Sequence, residues 1–394
     1  MDTADAPEIR TDVPGTFAHG VLAERHPALI ARVREATPYP PAEQRALDAL
    51  LTEITRGTIA PLPREAHDAE RWVAWGGDAY YGGTWFDPPF LWAESYFYRR
   101  LLGAVGYFTP GPRLGLDPFA PFKDAELRGG TVDEELAALD ALEARPEVER
   151  ADALLGAALW GNRADLGFRI TAEEAEPGGA DRLVADDRDR LWGLLPPGGG
   201  PDVRVHLIAD NAGRELVPDL LLLDHLLRTG RAGHVVLHVK PYPYYVSDAT
   251  TSDATAALRR LGAAPGQAGE AGRRLWTAVA DGRLGIGAHP FFCAPFAYDA
   301  MPDDLRAELG SATVTIVKGD LNYRRLVGDR LWPPTTPFAS RVAHFPGPVA
   351  ALRTLKSDVI TGLAPATATA LDASGEPWRV SGTQALVQVA GAGA

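Results

Sequence analysis

Cysteine is nearly missing from this chain. Its 394 residues contain one, Cys293, so no intramolecular disulfide and no cysteine-rich zinc site can form. That lone thiol reads as a small buried apolar residue, not as a nucleophile. Long apolar runs are missing as well: no stretch approaches the roughly 18 residues that span a bilayer. The opening MDTADAPEIRTDVPG is acidic where a secretory leader would be basic and then apolar, so a cytoplasmic protein without a membrane partner is expected. Clusters of Lys and Arg are also lacking, and the formal net charge is -13. This argues against nucleic acid as a partner, because phosphate backbones are bound through such clusters. Gly 41 and Pro 33 are abundant, yet they are scattered and form no repeat. What remains, 46% hydrophobic and 23% charged residues, is ordinary for a globular protein whose length allows two or three domains.

Residues 1–170 read as an N-terminal helical domain. After a loose acidic arm, HPALIARVREA and AEQRALDALLTEI carry apolar residues at helical spacing, Leu47, Leu50, Leu51 and Ile54 in the second. Residues 71–108 are dense in aromatic rings, and FLWAESYFYRRLLGAV is predicted to be a buried helix whose rings are mostly core. Glu94, Arg99 and Arg100 stand out there, because charges beside so much aromatic surface need partners or water. Two further helices, over 132–144 and 148–160, end at a Gly161-Asn162 stop, where Asn162 and Asp165 either cap or face a cleft. Residues 171–201 are acidic and then Gly/Pro-rich, which marks a connection between parts. From 202 to 394 strands alternate with helices. Strands are expected at 203–208, 234–240, about 313–318 and from 349, with a short apolar return at LGIGAH and an edge strand from 384. Repeated strand-helix units imply an α/β domain with a doubly wound, mainly parallel sheet. Gly285 and Gly287 make a bare G-x-G, too little for a dinucleotide site.

The stretch VRVHLIADNAGRELVPDLLLLDHLL organises this second part. An apolar strand hands over at Asp210-Asn211 to a helix with Leu216, Leu220, Leu223 and Leu227 on one side, and ligands bind at that carboxyl edge of open α/β sheets. An acid and an amide there either cap the helix or offer oxygen to a divalent cation, while free helix N–H groups can receive an anion. Asp248 again stands just before a helix. Lys318 with Asp320, and Arg353 with Lys356, mark two more strand exits. Neighbouring strands lie about 4.8 Å apart, so these exits can converge on one small ligand. Two carboxylates and an amide suit Mg²⁺, Mn²⁺ or a similar ion better than zinc, and Lys356 can hold phosphate as a point charge. Singly, each of these residues could be a cap or a surface ion; together they describe an active site. Tyr242, Tyr244 and Tyr245 either line it or pack their own loop.

The segments DNAGRELVPDLLLLDHLL, HVKPYPYYVSDAT and VKGDLNYRRLVGDRLWP resemble the damage-control phosphatase family, once a domain of unknown function. Arg353-Thr354-Leu355-Lys356 fits the Arg-Thr-x-Lys signature of its subfamily III, to which acidic-residue methyl transfer has also been attributed, and WFDPPFLWAESYFYRRLL and LWGNRADL are similar too. The likeness covers about residues 70–360. It implies an N-terminal helical domain on a three-layer α/β/α sandwich and a metal held by Asp210, Asn211 and Asp248. Substrate contacts are implied from Glu215, from Asp320, Leu321, Asn322, Tyr323 and Arg324, and from Lys356. The implied reaction is hydrolysis of phosphomonoesters such as fructose 1-phosphate or fructose 6-phosphate, supported by Mn²⁺, Co²⁺ or Ni²⁺. Asp210, Asp248 and Lys356 are then the expected catalytic residues, with N–H groups of Ala212 to Arg214 helping Lys356 to stabilise developing charge. Two other readings stand beside this one: methyl transfer from S-adenosylmethionine to protein carboxylates, which a glycine-rich cofactor loop would favour, and non-catalytic binding of sugar phosphates.

Overall fold

The computed structural model describes residues 6–161 and 183–391. Its centre is a seven-stranded sheet in the order β1-β7-β6-β5-β2-β3-β4, with β1 Leu183–Asp186, β2 Arg204–Ile208, β3 His234–His238, β4 Leu284–Gly287, β5 Val314–Lys318, β6 Val349–Thr354 and β7 Ala385–Ala390. The five strands from β6 to β4 are mutually parallel. Runs such as Val314-Thr315-Ile316-Val317 suit strands covered on both faces, as parallel sheets are. Chain order turns at β2, with β3 and β4 added on one side and β5 and β6 on the other. That turn is a topological switch point, where the carboxyl ends of the strands leave a crevice.

Successive residues of a strand face opposite ways, so the sheet feeds two apolar layers. One contains Leu207, Val235, Ile316 and Val387, packed with α5 (Gly130–Glu143), α6 (Glu147–Trp160), α8 (Leu216–Arg228), α9 (Thr251–Gly262) and α10 (Gly266–Ala280). The other contains Ile208, Val317, Ala351 and Leu386, packed with α1 (His26–Ala36), α2 (Pro41–Arg56), α3 (Phe90–Ala104) and α12 (Asp320–Val327). The architecture is the expected α/β/α sandwich with a helical N-terminal region. That region is divided: α1 to α3 cover one face, while α5 and α6, which follow α4 (Ala120–Leu127), cover the other. Packing therefore crosses the boundary at 170 that composition suggested. Among the described residues no helix is long and apolar enough to cross a membrane.

Two expectations fail at the sheet's far side. The stretch 171–201, read as a connection, contains β1 and α7 (Arg188–Leu194); four strand residues in an acidic, glycine-rich context leave too short a pattern to see. Because β1 pairs with its outer side, β7 is interior and not an edge, and it runs antiparallel to β6.

Two charges drop out of the expected constellation, Lys318 through strand alternation and Arg353 because its partners consume it. Lys318 is 1% exposed and points into the layer of α6 and α8, where its ammonium donates to Asp219 Oδ1 at 2.6 Å and to the Ala158 carbonyl. Arg353 is fully buried, donating to Asp320 Oδ1 at 2.8 Å and to the carbonyls of Ser357 and Val359. Both are structural ties. Removing one partner of a buried pair leaves an uncompensated charge, which costs about 3–5 kcal/mol. Asp219→Ala is therefore expected to lose that much in urea unfolding, and Asp219→Leu with Lys318→Met to recover most of it. A single variant within about 1 kcal/mol of the parent would show that the pair is not holding α6 and α8 to the sheet.

Candidate active site

Asp210 and Asn211 follow β2, and neither caps the helix beyond them. A short turn, Gly213–Glu215, leads into α8, and among the described residues no side chain caps either element. Asp248 does not cap α9 either. Thr250 does, in a reciprocal box: its hydroxyl accepts from the Asp253 N–H, and the Asp253 carboxylate accepts from the Thr250 N–H at 2.9 Å. All three oxygen-bearing residues are thus released from the bland role their sequence positions allowed.

They are brought together by the main chain. The loop after β3 folds back along the exit of β2, so that the Ala249 N–H donates to the Asp210 carbonyl at 3.0 Å and the Ala212 N–H to the Ser247 carbonyl at 2.6 Å. Asn211 and Asp248 form an antiparallel bridge. Side chains reinforce it: the Ser247 hydroxyl donates to Asn211 Oδ1 at 2.6 Å, and Asn211 Nδ2 donates to Asp210 Oδ2 at 3.1 Å and to Glu215 Oε2 at 2.8 Å. The Tyr245 N–H donates to Asp248 Oδ2 at 3.2 Å. One expected anion donor is consumed here, since the Ala212 N–H is spent on this bridge.

Asp210 is 7% exposed and Asp248 2%. Burial raises the pKa of Asp210 well above the usual carboxylate range, and the charges of Glu215 and Asp248 push it further, against Lys356 and Lys240. Burial also raises Asp248, opposed first by Lys240. Two acids and an amide oxygen crowded into a low-dielectric rim form a donor set that a hard divalent cation suits, because its charge relieves their repulsion. Gly319 makes the crowding possible. Its φ is +86°, and a Cβ there would lie 1.9 Å from Asp210 Oδ2.

These acids open onto a cleft of about 650 Å³. Asp320, Leu321, Arg324 and Lys356 line it from the exits of β5 and β6. The Asp320 carboxylate is already engaged by Arg353 and by the Lys356 N–H, at 3.1 Å, and so fixes the backbone that carries the exposed Lys356. Glu215 stands behind Asn211. Asn322 and Tyr323 turn inward instead: Asn322 donates to the Ala209 and Lys318 carbonyls, and the Tyr323 hydroxyl meets Thr361 and Gln388. Of the three tyrosines Tyr245 lines the cleft, stacked on Tyr98 with centroids 4.6 Å apart. Tyr244 is buried against Ser95, and Tyr242 packs on Phe108. Of the three charges flagged in the aromatic segment, Glu94 reaches the cleft and pairs with Arg324 at 3.3 Å. Arg99 and Arg100 are tied to Asp68 and Glu53.

Sequence reasoning missed Arg25, His26 and Arg32, which line the cleft from α1 and the turn before it. It also missed Lys240, 1% exposed beside Asp248, with Asn322 Oδ1 at 3.5 Å from its ammonium. A lysine closing the strand HVVLHVK was the available signal. Cys293 is buried, as expected, and burial pushes its thiol up to about 12. Gly285 and Gly287 lie inside β4 and not on a strand-to-helix turn, so they do not form the glycine-rich loop that would have favoured methyl-donor binding. Asn162 and Asp165 lie outside the described residues.

A family model described as the damage-control phosphatase ARMT1-like domain matches residues 21–371. The damage-control phosphatase ARMT1 of Mus musculus is 29% identical over 96% of this chain and 97% of its own length. That of Danio rerio is 30% identical over 95% and 94%. A crystal structure of a DUF89 family protein from Pyrococcus horikoshii aligns with a TM-score of 0.48 at 14% identity, covering 92% of this chain and 96% of that one.

Gly319→Ala tests the geometry directly. The added methyl must displace the Asp210 carboxylate, so Mn²⁺ affinity, measured by isothermal titration, is expected to weaken at least about tenfold while the circular dichroism spectrum stays native. Unchanged affinity would mean that Asp210 is not held where its contact with Gly319 puts it.

Proposed function

Since the chain belongs to the ARMT1-like damage-control phosphatase family, and is thus a metal-dependent phosphoric monoester hydrolase, we propose that its cleft hydrolyses small sugar phosphates. Fructose 1-phosphate and fructose 6-phosphate are the substrates named first, in a house-cleaning role. Asp210, Asn211 and Asp248 hold the divalent ion, Mn²⁺ foremost, with Co²⁺, Ni²⁺ and Mg²⁺ as alternatives. The observation that carries this reading is the main-chain bridge that sets three oxygen-bearing side chains side by side in a cleft also lined by Lys356.

An ion held there supplies Lewis acidity toward a phosphoryl oxygen and lowers the pKa of a bound water. The chain's own groups do the rest. Lys356, exposed on a loop fixed by Asp320 and Arg353, takes phosphoryl oxygens and offsets charge as it develops in the transition state. Tyr98 and Tyr245, stacked on each other in the cleft wall, add apolar surface against which a sugar can rest. Arg324 is anchored by two hydrogen bonds of 2.8 Å to Asp329, so it and Glu94 can offer a donor and an acceptor to sugar hydroxyls without moving.

The test is steady-state hydrolysis of fructose 1-phosphate with Mn²⁺. Asp210→Asn and Asp248→Ala are each expected to lower kcat/KM by more than about 10³-fold, and Lys356→Met to lower it by about 10²-fold. Chelation should abolish turnover and added Mn²⁺ restore it. Rates within about tenfold of the parent for both aspartate variants would end the proposal.

A further inference from the structure

Away from the cleft, the face of the sheet that carries Ile208 contains a polar inclusion in otherwise apolar packing. His206 of β2 lies two residues before Ile208 and so on the same face. His238 of β3 is paired in register with Ile208, and Thr315 of β5 with His206. The imidazoles are 3% and 1% exposed. His238 Nε2 and His206 Nδ1 share a hydrogen at 2.9 Å. His238 Nδ1 and the Thr315 hydroxyl are buried with no hydrogen-bond partner among the described residues, which is costly for polar atoms in such a place. Gly287, the register partner of His238 on β4, leaves the space: a Cβ there would lie 2.8 Å from His238 Nδ1.

Helix α11 (Asp303–Gly310), which leads into β5, brings up the exposed Glu308. One imidazole nitrogen of each histidine and one Glu308 carboxylate oxygen all lie within 4.8 Å of one another. We infer that His206, His238 and Glu308 form a second metal site, for Zn²⁺ or a similar borderline ion, which ties α11 to the sheet. Two imidazoles and a carboxylate are a zinc donor set with one position left for water, whereas the all-oxygen set of the cleft favours harder ions. The site is separate from that cleft: Asp210 lies four steps of extended chain, roughly 13 Å, beyond His206.

The rings are in a state to ligate. Burial lowers the pKa of His206 to about 4 and that of His238 to about 3, so both are neutral at pH 7, as imidazole ligands must be. The hydrogen between them has only to move to the far nitrogen of the ring that donates it. Tetrahedral zinc with bonds of about 2.05 Å needs nitrogens about 3.4 Å apart, an opening of a few tenths of an ångström. Besides burial, the groups that oppose protonation of the pair are Arg204, toward His206, and the His206 ring and then His289, toward His238. Arg204 is exposed, and His289 is paired with Asp304 at 3.3 Å, one helical turn from Glu308.

The experiment is equilibrium dialysis against Zn²⁺ alone, with bound metal counted by mass spectrometry. An Asp210→Asn/Asp248→Ala background removes the cleft. That protein is expected to keep one Zn²⁺ per chain and to gain about 3 °C in melting temperature at saturation. Adding Glu308→Gln, a surface change, should weaken Zn²⁺ at least tenfold, and His206→Asn should abolish both the binding and the thermal gain. On its own, Glu308→Gln should leave phosphatase activity with Mn²⁺ within about twofold of the parent. Absence of Zn²⁺ from the cleft-free background, or equal Zn²⁺ affinity with and without Glu308→Gln, overturns the site. Because zinc is counted in a protein without the cleft's acids, failure of the phosphatase reading would leave this result standing.

Discussion

The pair of main-chain hydrogen bonds that joins residues 210–212 to 247–249 is the constraint on which the rim of the sheet depends. A hydrogen bond between buried amides contributes only about 1 kcal/mol net, but its geometry is exacting. By pairing the exits of β2 and β3 as a short antiparallel bridge, it sets two acids and an amide next to one another without asking their side chains to find each other. The acids are then free of capping duty, which Thr250 performs for one helix and no side chain performs for the other.

That placement is electrostatically expensive, and the surrounding residues are arranged accordingly. Asp210 and Asp248 repel each other, Glu215 adds to the repulsion, and burial disfavours all of the charge. Lys240 behind and Lys356 in front oppose it. The protein places one of these cations where solvent cannot reach and leaves the other exposed. The buried one stabilises the acids permanently, while the exposed one remains available to a ligand. The neighbouring cations Lys318 and Arg353 do neither, since their charge is spent on holding helices and a loop in place.

Asp210, Asn211 and Asp248 were legible as rim residues because an apolar run, a polar break and a helical repeat are local events, and the break falls where the strand must end. The role of Lys318 was not legible in the same way. One residue of strand phase decides whether a side chain enters the cleft or the helix layer, and Val317 and Lys318 differ by that one step. Arg25, Arg32 and Glu94 were missed, or only flagged, for another reason. They reach the cleft from helices more than a hundred residues away in sequence, and nothing in a helix's own periodicity says which sheet edge it will overhang. β1 was invisible because four residues carry too little pattern against an acidic, glycine-rich background.

The sequence by itself determined the class of fold, the strands and several of the helices after residue 202, and the chemical kind of the donors at the strand ends, all of which follow from short-range apolar periodicity and turn residues. Tertiary structure decided which exits meet, which charges face the cleft and which are consumed as ties, and how the first helices divide between the two faces of the sheet. Those outcomes rest on strand order, register and side-chain burial, which arise only when segments distant along the chain pack against one another and water is excluded between them.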